Sequence, residues 1–212
     1  MTALPPEKAA EILEYLDPEE VVKVTTGIKS ELLSDILDEA DSDVQADILR
    51  QLPDEQAEEV LKEMEKTETV FPLLQYDDDS AGGRMVLEYV IVRGDSTIAD
   101  ALNELREHQP ELEDVRSIFV SDNSKRLVRE IGLTRLALSR PRTLVNSIMN
   151  TDIIYVSCDT DQEECIRVME RYNLDLLPVV NEEMQLIGVI QSEHVFDPLG
   201  VSIKKSASMV IA

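Results

Sequence analysis

The chain has 212 residues, 43% of them hydrophobic, and sets 44 acidic against 20 basic side chains for a formal net charge of −24. A surface that negative repels phosphate backbones and anionic headgroups, which argues against nucleic acid as a partner. No apolar run approaches the roughly 20 residues needed to span a bilayer, and the start, MTALPPEKAAEIL, lacks the basic and long apolar regions of a signal peptide. The expectation is a soluble, cytosolic chain.

Residues 1–80 hold 23 acidic and 6 basic side chains, so this stretch alone carries −17 of the charge. It also repeats: LPPEKAAEIL (4–13) and LPDEQAEEVL (52–61) share one pattern at a separation of 48 residues. Each copy places proline and acidic residues at a helix start, where the missing amide and the helix dipole favour them, and then apolar residues at three- and four-residue spacing. Asp17-Pro18 and Ser30 mark further starts. The pattern predicts short helices over roughly 7–16, 19–27, 31–39, 43–51, 54–65 and 68–75, stacked as a small helical-repeat domain.

Next comes YDDDSAGGRM (76–85), three carboxylates just before the chain's only Gly-Gly pair. The triplet admits two readings. It is a solvated turn with Asp79 as a helix cap, or it belongs to an acidic seam, with Gly82-Gly83 supplying backbone freedom at a hinge. Beyond it the period changes to strand-helix alternation. EYVIVRGDSTIADALNEL (88–105) and DIIYVSCDTDQEECIRVM (152–169) superpose at an offset of 64. SIFVSD and RLVREIG follow the first, LLPVVN and QLIGVIQ the second, so the unit is β-α-β-β-α, twice. About five extra residues around Pro110 lengthen one loop of the first copy.

Chemistry-bearing residues are sparse. Cys158 and Cys165 lack CxxC spacing and a nearby histidine, which points to reduced, structural thiols. His108 and His194 lie far apart, no G-x-S-x-G or P-loop is present, and Ser80 has no sequence-level base, so no catalytic residue is assigned and an enzyme is not expected. Met64, Met85, Met149, Met169 and Met184 read as core or contact fillers, and Tyr89 and Tyr172 as half-buried packing residues. Arg140 and Arg142, flanking Pro141, read as structural ion-pairing residues, with phosphate contact as the alternative.

The tandem unit resembles a pair of CBS modules. Together with the acidic helical domain, the YDDDSAGGRM stretch, PRTLVNSIM (141–149), SIMNTDIIYVSCDTDQEE (147–164) and LLPVVNEEMQLIGVI (176–190), it resembles the cytosolic part of MgtE-type magnesium transporters over nearly the whole chain. The resemblance implies an α plus α/β architecture: a superhelical N domain over 1–80, CBS modules over 81–140 and 141–200, and a tail over 201–212. It implies a Mg2+-sensing regulatory region that closes when Mg2+ binds at acidic interdomain surfaces and thereby gates transport. A homodimer through the CBS modules, a transmembrane pore domain outside this chain and a place at the inner face of the plasma membrane follow from the same likeness. Asp161 and Glu163 in DTDQEE, and Glu193 and Asp197 in QSEHVFD, match positions that are acidic and metal-associated in the family; Asp78 and Asp79 join them as part of the seam. The local alternative for Asp161 and Glu163 is that acidic residues in a helix's first turn complement its dipole.

Departures bear on the ligands. Asn173 and His194 stand where the family pattern has aspartates. The hydroxyl residue and ribose-binding aspartate of nucleotide-holding CBS modules are replaced by Gly132 and Arg135, and by Gln191 and His194, so no nucleotide is expected. After Asp197 the chain reads PLGVSIKKSASMVIA instead of an acidic helix and membrane spans. Two readings remain: the regulatory part of a transporter, or a free-standing CBS scaffold acting by protein contact.

The physics of such a sensor is simple. Mg2+ takes oxygen ligands octahedrally, keeps several waters and touches only one or two carboxylates directly. Two carboxylates about 5 Å apart repel by roughly 3 kcal/mol at an effective dielectric near 20. A divalent ion between them turns repulsion into attraction, and closure becomes a function of free Mg2+.

Overall fold

The computed structural model describes residues 4–14, 16, 18–65, 67–107, 117–148 and 153–192. The chain divides into two compact units, Met1–Asp78 and Asp79–Ala212. The first contains α1 (Pro6–Glu14), α2 (Pro18–Thr25), α3 (Ser30–Leu37), α4 (Ser42–Gln51), α5 (Asp54–Glu63) and α6 (Thr67–Val70). Proline opens α1 and α2, where its missing N–H would have no partner anyway. Acidic residues occupy the first turns of α1, α3, α4 and α5, complementing their positive ends.

Helices of 8 to 10 residues are marginal alone, so packing holds them. α3 rests on α1 and α5, and α4 on α2 and α6, so alternate helices stack. Leu33, Leu37, Ala46, Val60, Val70 and Leu73 are fully buried between them. The sixth predicted helix is interrupted. Pro72 follows the single turn of α6, and the chain continues as a 3-10 turn, Leu73–Gln75, because proline's ring and missing N–H do not continue an α-helix.

Arg50, in the last turn of α4, ties down the end of this unit. Its Nη2 donates to the carbonyls of Leu73 at 2.7 Å and Tyr76 at 3.4 Å; its Nη1 donates to Asp78 Oδ1 at 3.0 Å and Asp47 Oδ1 at 3.3 Å.

The second unit holds two three-stranded sheets. In the first module β1 (Ile91–Arg93) runs parallel to β2 (Ser117–Ser121), which pairs antiparallel with β3 (Leu127–Gly132). α8 (Ile98–Glu107) lies between the parallel strands in sequence, α9 (Leu133–Leu138) follows β3, and a short helical turn α7 (Ala81–Arg84) precedes the module. The second module repeats this with β4 (Val156–Ser157), α10 (Gln162–Tyr172), β5 (Leu176–Val180) and β6 (Leu186–Gln191). α8 and α10 start 64 residues apart, and β2 and β5 start 59 apart; the loop of the first copy absorbs the difference. The helix expected after β6 lies outside the described residues.

The sheets meet edge to edge, where Arg126 bridges Gln185 and Leu127 N donates to Met184 O at 2.7 Å. Val86, Phe119, Leu127, Val180, Leu186 and Val189 form the apolar cluster of this seam. Tyr89 packs against it and donates its hydroxyl to Leu186 O at 3.2 Å.

The connections cross. The stretch preceding the first module is built into the second: Gln162 N donates to Asp79 O at 2.8 Å, Ala81 N to Thr160 O at 2.7 Å and Gly82 N to Cys158 O at 2.8 Å. Val86 then exchanges both backbone hydrogen bonds with Val189, at 2.7 and 3.0 Å. The linker preceding the second module is built into the first in the same way. Ile98 N donates to Thr143 O at 2.9 Å, Val145 N to Ser96 O at 2.9 Å and Asn146 N to Gly94 O at 2.9 Å. All three pairs correspond at the offset of 64.

This corrects the hinge reading of Gly82-Gly83. Both glycines are buried in α7, and the missing side chains permit close backbone approach to the second module. Ser80, not Asp79, caps the turn, accepting from Gly83 N at 3.2 Å. Met85 behind it is 1% exposed, and a Cβ on Gly188 would lie 2.4 Å from its sulfur.

Candidate functional site

The crossed connections create two equivalent corners, each formed by a linker lying over the first turn of a helix. At the corner of α10 stand Asp79 on the linker, Asp161 at the N-cap, and Glu163 and Glu164 in the first turn. Asp161 Oδ1 accepts from Glu163 N at 2.8 Å. Glu163 and Glu164 lie 3.6 and 2.8 Å from the Arg167 guanidinium, on exposed side chains. At the corner of α8 the equivalent positions carry Thr143, Thr97, Ala99 and Asp100. One corner therefore gathers four carboxylates, the other one. Its linker also places Arg142 where the first linker has Asp78.

The lone carboxylate of the α8 corner is used locally. Asp100 accepts from Thr97 N at 2.8 Å and from the Thr97 hydroxyl at 2.7 Å, while Asp100 N donates to Thr97 Oγ1 at 3.3 Å. This is a capping box with aspartate in the glutamate position. The Thr97 hydroxyl, then its backbone amide, hold the Asp100 carboxyl below the usual carboxylate range.

Of the residues singled out from sequence, Asp79, Asp161 and Glu163 come together at the α10 corner, with Glu164 a neighbour that the sequence reading did not name. The offset of 64, carried back into the linkers, would have found it. Asp78 belongs to the first unit and is paired with Arg50. Glu193 and Asp197 lie outside the described residues. Asn173 is the left-handed C-cap of α10, with φ 49°, a conformation asparagine tolerates better than most residues. Tyr172, expected to be half-buried, is 48% exposed, with the Arg171 guanidinium 5.4 Å from its ring centre.

Cys158 and Cys165 are free and buried. Burial, and then the Asp161 carboxylate, push the Cys165 thiol from its ordinary value near 9 up to about 12, so it stays protonated and a poor metal ligand at neutral pH.

The donor chemistry of the α10 corner fits Mg2+. It consists of exposed carboxylate oxygens, hard ligands with water at hand to complete an octahedron. Among the described residues no group of three or more histidine, cysteine, aspartate or glutamate side chains is placed to enclose an ion. Asp79, Asp161 and Glu163 would hold a hydrated ion through one or two direct contacts.

Helical unit, paired β-α-β-β modules and crossed linkers together define a CBS pair carried behind a helical N domain. The profile of the MgtE intracellular N domain matches residues 1–79, and that of the CBS domain matches residues 145–199. The magnesium transporter MgtE of Thermus thermophilus is 39% identical over 205 residues, covering 94% of this chain and 45% of that protein. The crystal structure of the cytosolic domain of the Mg2+ channel MgtE in complex with ATP superposes with a TM-score of 0.85 at 37% identity, covering 91% of this chain and 79% of that one. The crystal structure of the soluble part of a magnesium transporter gives 0.82 at 25% identity, covering 90% and 76%. The chain belongs to the MgtE family and has the fold of its cytosolic domain. It spans less than half the length of the Thermus relative. Among the described residues no helix is long and apolar enough to cross a membrane.

Proposed function

We propose that this chain is the cytosolic, Mg2+-sensing regulatory region of an MgtE-type magnesium transporter, acting at the inner face of the plasma membrane on a pore domain outside this chain. The observation that carries the reading is the charge asymmetry between the two corners. Asp79, Asp161, Glu163 and Glu164 occupy positions that carry a single carboxylate at the α8 corner. Clustered carboxylates raise the energy of the compact state until a divalent cation binds them, and Glu193 and Asp197 would add to the same set. Dimerisation belongs to the CBS modules, because self-contact of a helical unit carrying so much negative charge is costly. Removing residues 1–78 should leave a dimer in light scattering.

The test of the sensor is a scattering radius in millimolar Mg2+ against ionic-strength-matched KCl. Monovalent screening weakens repulsion but cannot bridge carboxylates, so Mg2+ should compact the chain further. Replacing Asp161, Glu163, Glu193 and Asp197 by their amides should remove the Mg2+-specific part. Equal radii in both salts would select the free-standing scaffold.

A second ligand has support of its own: the 37%-identical cytosolic domain was crystallised with ATP. That complex runs against the expectation of no nucleotide drawn from Gly132, Arg135, Gln191 and His194. Calorimetry with ATP on this chain decides between them.

A further inference from the structure

Arg50 and the first linker hold two adjacent stretches of backbone on different bodies. On one side, Arg50 bonds the carbonyls of Leu73 and Tyr76 and the carboxylate of Asp78, fixing the end of the first unit to α4. On the other, Asp79 O accepts from the first amide of α10, Ala81 and Gly82 donate into the second module, and Val86 pairs with Val189. The two anchorages are consecutive in sequence. Between them lies the Asp78–Asp79 linkage, whose residues are exposed, whereas Ser80 to Gly83 are buried.

We propose that the joint between the two units lies at the Asp78–Asp79 peptide, and that Arg50 is the positioning residue that sets it there. An anchored backbone rotates only after losing its hydrogen bonds and packing. The ψ of Asp78 and the φ of Asp79 lie between the two bonded sets. Displacement of the first unit is therefore delivered to the start of α10 in the second module, bypassing the first module that follows next in sequence. The inference stands whether or not Mg2+ is the signal.

Site-resolved proteolysis of the whole 212-residue chain tests it. A protease that cuts before aspartate should nick within residues 77–79 before trypsin cuts after Arg84, because cleavage tracks the population of the opened segment. Arg50→Gln should speed cutting at 77–79 at least about fivefold and leave the Arg84 rate unchanged. Gly188→Ala, which displaces Met85, should do the reverse. If Arg50→Gln unfolds the first unit, Arg50→Lys decides: it keeps the charge but not the two-nitrogen fork, and should give an intermediate rate with native circular dichroism. Arg84 cut as fast as the aspartates in the unsubstituted chain, or accelerated equally by the Arg50 variants, would overturn the assignment.

Discussion

The corners of α8 and α10 share a backbone and differ in charge. Three linker-to-helix hydrogen bonds recur at both with distances of 2.7 to 2.9 Å, yet one corner carries Thr143, Thr97, Ala99 and Asp100, the other Asp79, Asp161, Glu163 and Glu164. The fold does not need the carboxylates, since its own duplicate forms without three of them. What the fold leaves unexplained is therefore the part to which function is assigned.

Three substitutions break or sharpen this comparison. Gly188→Val forces a side chain into the space of Met85 and should cost about 1–3 kcal/mol in thermal unfolding. The loss belongs to the second module alone, because Arg129, at the position equivalent to Gly188, already carries a long side chain. Ser80→Ala removes a cap worth about 1 kcal/mol; Leu144→Ala, at the equivalent position, removes a 45%-exposed side chain that makes no cap bond and should stay within about 0.5 kcal/mol. A larger loss at Leu144 than at Ser80 would undo the equivalence.

The third change concerns Asp100. A carboxyl held below its ordinary value stabilises the fold above that value, near pH 4, and its contribution disappears as pH falls through the depressed one. Asp100→Asn should therefore lower the melting midpoint at about pH 7 and leave it unchanged at about pH 2, below both values. An equal shift at both would show that the charge is not what Thr97 uses.

The six helices of the first unit were legible because Pro6, Pro18, Pro53 and first-turn acids are local signals with local causes. The duplicated β-α-β-β pattern was legible for the same reason. The linkers were not. DDDSAGGRM and PRTLVNSIM share little but their final methionine, and their equivalence rests on backbone hydrogen bonds to distant partners such as Thr160 and Ser96. Gly82-Gly83 shows the limit most plainly. A glycine pair serves backbone freedom or close approach equally well, and only the Cys158 carbonyl, 76 residues away in sequence, decides for close approach. Asp78 was legible as a carboxylate, but not as the partner of Arg50.

The most direct test of the account is amide exchange read at the two helix starts, Gln162–Cys165 and Ile98–Ala101, in millimolar Mg2+ and in KCl of equal ionic strength. The account predicts that Mg2+ slows exchange at the α10 start about fivefold more than KCl does, equivalent to roughly 1 kcal/mol of added protection, and leaves the α8 start unchanged. Equal slowing at both starts, or equal effects of the two salts at α10, would contradict it.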